Sequence, residues 1–340
     1  MPEGDSYVHA AHAARPVLLG EQVLTVAGSA PSVRRYSARI LGSTVTAVRT
    51  HGKHLVIDLE SGYSVHVHLA MNGTLRVRPA GPVRPGPARL LLATAQGVVT
   101  VSGTRDVEAD RTPAIEARVL GPLGPDLIAD EFDWDDFAKR ARGADPATTV
   151  ADFLLDQRVM AGVGNVYKCE VAFLERLHPA QPIATLDFAR LHDLAERSRT
   201  LLRANRRPGR RITTGDYRRP LWVYGRDGRA CRRCGTAVRR AWFGSAEPQV
   251  RYWCPGCQHD GMTARPHAAG CDGGRRGRRA SRRFRWPVVG VVSTMTRWAH
   301  AAEPTCSPKT AGRRTTIRAS TGRDWPTNAP HSASPCASAG

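Results

Sequence analysis

The sequence predicts an α+β multidomain protein: an N-terminal helix with an antiparallel β-sandwich, a helical domain, a metal-binding β-hairpin and a basic tail. Three observations carry that prediction. From Gln22 to about Leu120, apolar and polar residues alternate with the period of two expected of half-buried strands. Beyond "LGPDL", which ends at Leu127, apolar residues recur at three- and four-residue spacing. Further on come two C-x-x-C pairs, Cys231/Cys234 and Cys254/Cys257, with 19 residues between them.

Taken in order, a first helix is expected from about Asp5 to Leu19, stopped by Gly20, a residue suited to a C-terminal cap. The stretch "STVTAVRTHGKHLVIDLESGYSVHVHLAMNGTLRVRP" then places turns at "HGK", "ESG" and "MNG" between alternating runs, and a β-sandwich is the natural container. "DWDDFAKRAR", "TVADFLLDQRV" and "LDFARLHDLAERSRTLLRANR" supply the helices. The expected division is 1–125 for the sandwich, 126–220 for the helical domain, 221–258 for a four-cysteine module and 259–340 for a disordered, low-complexity tail. A hinge near 125–135 would leave a cleft between the first two parts, the usual place for a substrate.

A formal charge of +20 over 340 residues points to a polyanionic partner, most simply nucleic acid, with an anionic membrane surface as the competitor. No run of 18 apolar residues exists, which excludes a helical membrane span, and no secretory signal is visible. A monomer in the cytoplasm, associated with the nucleoid, is the expectation. The tail from 262 onward holds 14 Lys and Arg against 3 Asp and Glu, so the remaining residues keep a net charge of +9 and are basic in their own right.

Three short stretches suggest chemistry. In the cysteine module, four thiolates at this spacing make a closed tetrahedral shell, hence one structural Zn2+. Its arginines and aromatics suit a hairpin that grips phosphates. In "LLDQRVMAGVGNVYKCE", Gly162 and Gly164 fall in a turn between a helix ending near Gln157 and one starting near Asn165. Glycines permit close backbone approach, and a helix N-terminus attracts phosphate, the logic of a helix–turn–helix aimed at the DNA backbone. In "MPEGDS", removal of Met1 would expose the secondary amine of Pro2 beside the Glu3 carboxylate. Each stretch alone is an ordinary feature.

Together they converge. "MPEGDS", "HGKHL" at 51–55, "HLAMNG" at 68–73, "LLDQRVMAGVGNVYKCE" at 154–170 and "CRRCG…YWCPGCQ" at 231–258 occur in one order. In that order they resemble the formamidopyrimidine-DNA glycosylase/endonuclease VIII family of base-excision repair, over about 1–258. "RPLWVYGRDGRACRRCG" looks like its endonuclease VIII-like branch. The resemblance implies a helix–two-turn–helix in the helical domain and damaged DNA as partner. It implies Pro2 as the nucleophile that attacks C1′ and forms a Schiff base, Glu3 as the acid/base partner and Lys53 as a cation aiding protonation and holding phosphate. Gly164 and Asn165 would hold phosphates near the lesion, and Met71 would fill the stack vacated by a flipped base.

Two departures qualify this. The family's hairpin has an arginine five residues before the third cysteine. Gln249 stands there in this chain, so Arg251, two residues on, is expected to take over phosphate binding. The purine-lesion branch carries an Arg-Arg-Phe-Gly loop that "SGTRDVEADRT" lacks, which leans the expectation towards oxidised pyrimidines or preformed abasic sites. The implied activity is a bifunctional glycosylase and abasic-site lyase. The alternatives are an inactive relative that only binds damaged or abasic DNA, against which Pro2, Glu3 and Lys53 all speak, and a zinc-ribbon RNA-binding protein, which explains neither "MPEG" nor "AGVGN".

Overall fold

The Glu3 N–H is taken by Ser6 Oγ at 3.2 Å, and the Ser6 N–H bonds back to the Glu3 carbonyl at 2.7 Å, so the chain turns into helix α1 (Gly4–Leu18) directly behind its third residue. This protein structure is a computed structural model that describes residues 1–82, 87–243 and 249–259. The apolar stripe of α1, Tyr7, Ala11, Ala14 and Leu18, is buried at the helical three- and four-residue spacing. Gly20 follows at a φ of +78°, the left-handed conformation that only glycine adopts freely.

The strands come next: β1 (Thr25–Ala27), β2 (Val45–His51), β3 (His54–Leu59), β4 (Tyr63–Val67), β5 (Thr74–Pro79), β6 (Leu90–Ala93), β7 (Gly97–Ser102) and β8 (Val107–Arg111). They form two four-stranded sheets, ordered β1-β6-β7-β5 and β2-β3-β4-β8, with every neighbouring pair antiparallel. Their inner faces and α1 share one core that includes Leu18, Val45, Ile57, Val65, Leu90 and Val99. The expected run of strands is interrupted in two places. Short helices α2 (Pro31–Arg35) and α3 (Ser37–Ile40) precede β2, and α4 (Thr112–Ile115) with a π-helical turn, Glu116–Leu120, follows β8. Pro31 and Pro113 open α2 and α4 at positions where a missing N–H costs nothing.

The helical part holds α5 (Trp134–Arg142), α6 (Val150–Leu155), α7 (Asn165–Leu174) and α8 (Phe188–Ala204). Asp133, Thr149 and Asp187 cap α5, α6 and α8 by accepting the N–H groups of Asp136, Asp152 and Arg190. A second core of Phe137, Phe153, Met160, Tyr167, Leu194 and Leu202 unites them. The hairpin of β9 (Arg239–Phe243) and β10 (Gln249–Trp253) packs on α7 through Cys169, Phe173, Val223, Val238 and Cys254. All described residues belong to one compact unit. Apart from its first residue, His259, the expected tail at 259–340 lies outside the described residues. Among the described residues, no helix is long and apolar enough to cross a membrane.

Candidate active site

The β2–β3 hairpin turns on Gly52 and Lys53, with Gly52 at φ +55°, as the first position of a type II′ turn requires. A Cβ on Gly52 would stand 2.6 Å from the Ala161 Cβ, so the tip of "HGK" lies directly against "AGVGN". On the other side, the Gly4 N–H bonds to the Gly162 carbonyl at 2.9 Å. The N-terminus, the lysine turn and the glycine loop are thereby locked together, although they lie far apart in sequence.

Glu3 is at the centre of that junction and fully buried. Its carboxylate receives the N–H groups of Gly164 (3.0 Å), Val166 (2.7 Å) and Tyr167 (3.2 Å), the open N–H groups at the start of α7. Gly164 has to be glycine for want of space, since an added Cβ would lie 2.5 Å from Glu3 Cγ and Cδ. Arg211 Nη1 stands 3.6 Å from Glu3 Oε1, and its guanidinium clamps Asp5, which also accepts the Tyr167 hydroxyl at 2.9 Å. Burial pushes the Glu3 carboxyl above the usual carboxylate range, and Arg211 and the α7 N–H groups oppose that rise without cancelling it. Burial likewise lowers the Lys53 ammonium, against the attraction of Glu3.

Pro2, Lys53, Met71, Gly164 and Asn165 line one cleft of about 790 Å³, joined by His68 and Asp106 of the sandwich and by Tyr224, Trp242, Gln249, Val250 and Tyr252. Met71 is 58% exposed there. It is held out by a turn in which Ala70 takes a φ of +50° and the Leu69 N–H bonds to the Tyr7 hydroxyl. His68 stacks on His54, which stacks on His66, and burial and its histidine neighbours push His54 down to about 3. Asn165 receives the Lys168 ammonium on Oδ1 at 2.6 Å and turns Nδ2 towards Met1 Sδ at 3.6 Å.

The glycine loop serves the protein's own N-terminus first. The Gly164 N–H, expected to face the DNA backbone, is given to Glu3. Arg251 departs further from expectation. It is only 4% exposed, donates to both Asp152 carboxylate oxygens and to the Pro179 carbonyl, and lies over the Phe243 ring. In the hairpin register Arg251 faces Ala241, while Tyr252 pairs with Arg240 and Val250 with Trp242. Although Gln249, two residues earlier on the same strand, lines the cleft, the Arg251 guanidinium is committed to Asp152 and Pro179 and buried under Phe243, and a phosphate grip by this residue finds no support in its placement.

The sequence gives no cue to Tyr167, Arg211, Lys168 or Tyr224, whereas the hairpin aromatics expected to meet DNA, Trp242 and Tyr252, do line the cleft. Asp5 was visible inside "MPEGDS", but Arg211 sits in a polar stretch without periodicity, and only the fold brings it to Glu3.

The four cysteine sulfurs lie within 4.8 Å of one another, with Cys231–Cys257 at 3.9 Å and Cys234–Cys254 at 3.4 Å. A tetrahedron of ~2.3 Å metal–sulfur bonds has edges of about 3.8 Å, so the donor set fits one metal ion with four thiolate ligands.

The sequence matches two family models, the formamidopyrimidine-DNA glycosylase N-terminal domain over residues 1–108 and the formamidopyrimidine-DNA glycosylase H2TH domain over residues 123–214. It is 41% identical over 289 residues to a probable endonuclease 8 2 of Streptomyces coelicolor, covering 83% of this chain and 100% of that one. It is 42% identical over 265 residues to the DNA-(apurinic or apyrimidinic site) lyase Nei2 of Mycolicibacterium smegmatis, covering 76% and 99%. In fold it is similar to Lactococcus lactis Fpg solved with DNA containing an abasic site, at a TM-score of 0.64 and 22% identity over 76% of this chain and 100% of that one. Motifs, fold and relatives agree, and the chain belongs to the formamidopyrimidine-DNA glycosylase/endonuclease VIII family.

Proposed function

We propose that this protein is a bifunctional DNA glycosylase and abasic-site lyase of base-excision repair. It excises oxidised bases, pyrimidines by preference, through a Schiff base on Pro2 and cleaves the strand by β- and δ-elimination. The observation that carries this reading is that Pro2 and Lys53 line one cleft, with Glu3 buried directly behind Pro2 and near enough to Lys53 for its charge to act on the ammonium.

With Met1 removed, the neutral Pro2 amine attacks C1′ of a flipped nucleoside. The base leaves with a proton, the sugar ring opens, and the nitrogen lone pair completes an iminium. A carboxyl raised by burial stays protonated closer to neutral pH than an exposed one, so Glu3 can give its proton to the sugar ring oxygen and take one back during elimination. Lys53 supplies positive charge to the flanking phosphate, and Asn165 offers it an amide N–H. Met71 enters the gap left in the stack. The cysteine site holds Zn2+, which fixes the β9–β10 hairpin beside the cleft and takes no part in the chemistry. The parts 1–125, 126–220 and 221–258 divide this work as catalytic sandwich, DNA-backbone reader and zinc hairpin, a division supported by the distinct cores of the first two, while the third packs on α7 in a cluster shared with the helical part. Damaged DNA is the partner, bound by a monomer in the nucleoid-associated cytoplasm.

Borohydride trapping on an oligonucleotide with one abasic site tests the reading. Untagged protein gives a covalent band and Pro2→Gly gives none. Glu3→Gln loses base release more than lyase action on abasic DNA. Tight binding without a band from the untagged protein would sink the enzymatic reading in favour of a relative that only binds damage.

A further inference from the structure

Lys168 is a lysine that no part of the proposed chemistry uses, and its position is costly. It lies in the first turn of α7, where a cation opposes the helix dipole, and its side chain is fully buried. Its ammonium has two acceptors among the described residues, Asn165 Oδ1 at 2.6 Å and the Val250 carbonyl at 3.0 Å. The first belongs to the residue that presents an amide to the cleft. The second lies on β10 of the hairpin, opposite Trp242, which lines the same cleft.

A carboxamide has an accepting end and a donating end, and only the donating end can bind a phosphate oxygen. An ammonium can only donate, so the Asn165 atom that faces Lys168 is the oxygen. The NH2 group is then directed into the cleft, where its sole partner among the described residues is the weakly accepting Met1 sulfur. Removal of Met1 frees that donor. Without Lys168 the carboxamide could turn over and offer its oxygen, which a phosphate repels.

We infer that Lys168 is a positioning residue. It fixes the Asn165 carboxamide with its N–H groups towards the DNA phosphate and, through the Val250 carbonyl, ties that orientation to the docked hairpin. The inference rests on the reading of Asn165 as a phosphate contact, and the experiment separates the two.

The experiment is a double-mutant cycle on the dissociation constant for a duplex bearing a tetrahydrofuran abasic analogue, using full-length zinc-loaded protein. Asn165→Ala raises Kd about tenfold, the value of one hydrogen bond to a charged group. Lys168→Met raises it by a similar factor. The double variant binds no worse than Asn165→Ala alone, and the trapping rate at saturating abasic DNA stays unchanged in Lys168→Met. A simple strut between α7 and β10 would instead give losses that multiply, and multiplying losses overturn the inference. So does a Lys168→Met variant that binds like the parent. If Asn165→Ala itself binds normally, the phosphate reading of Asn165 fails and the inference falls with it. Should Lys168→Met fail to fold, Lys168→Gln, which keeps an N–H donor, takes its place in the cycle: losses that do not add support the inference, and losses that multiply overturn it.

Discussion

The junction around Glu3 and the zinc hairpin are both announced by short motifs, yet they are built in opposite ways. At the junction the deciding contacts are long-range: Glu3 and Gly164 are 161 positions apart and in hydrogen-bond contact. A single carboxylate serves three backbone N–H groups, and glycines form the points of approach. The hairpin is local. Four cysteines and five registered strand pairs close it, and Arg239, Arg240 and Trp242 on β9 are exposed. A buried junction of this kind tolerates no added atom, whereas a metal-framed hairpin tolerates surface change but not the loss of a ligand.

The largest effect that follows is at Gly164. Its φ of −126° is open to any residue, so Gly164→Ala tests space and nothing else. The methyl group would stand 2.5 Å from Glu3, which must then leave the start of α7. Overpacking of this kind costs about 1–3 kcal/mol in stability. Strand cleavage should fall about 100-fold or more, within the range set by misplacing an acid–base group. A thermal melt and a single-turnover cleavage rate measure the two together. A variant with the expected loss of stability and unimpaired cleavage would break the view that this approach positions Glu3.

Loss of a metal ligand comes second. Cys254 is fully buried, and Cys254→Ser or chelation opens the four-thiolate shell. The hairpin then unfolds, because metal binding and folding of such modules are one event. Affinity for abasic DNA should drop about tenfold or more, or ~1.4 kcal/mol at the least. The Pro2 amine and Glu3 keep their places, since among the described residues Glu3 makes no bond to the four cysteines, so trapping at saturating DNA persists. If chelation abolished trapping even at saturation, the junction would depend on the hairpin and the two regions would not be separable.

How much of this was legible in the sequence follows the same division. Cysteine spacing showed the hairpin, because a metal site depends on local geometry. Alternation showed the strands from Val45 to Pro79, but not α2, α3 or the π-helical turn after β8, which lie in stretches too short to establish a period. "MPEG" and "AGVGN" both stand out in the sequence, but composition cannot show that the glycines make room for the protein's own glutamate. Arg211 and Lys168 gave no signal, since each matters only through a partner that the fold brings to it. Arg251 is expected to bind phosphate by analogy with a neighbouring position, but Asp152 and Phe243, which draw it out of reach, carry no signal of that in the sequence.

That burial yields the smallest and most discriminating prediction. Arg251 and Arg240 belong to the same two-stranded hairpin, but Arg240 is exposed and pairs with the cleft-lining Tyr252, while Arg251 is buried against Asp152 and Phe243. Arg251→Ala should cost about 1–3 kcal/mol in stability, as expected for lost hydrogen bonds to a charged group. It should leave the slope of log affinity against log salt unchanged, because no phosphate contact is lost. Arg240→Ala should leave stability nearly intact, since its ion pair with Asp227 is half exposed, and should lower the salt slope by about one. Titrations of both variants on one abasic duplex at several salt concentrations decide between the two arginines. A reduced slope for Arg251→Ala, with none for Arg240→Ala, would mean that β10 presents its other face to DNA and that the docked hairpin turns over when it binds.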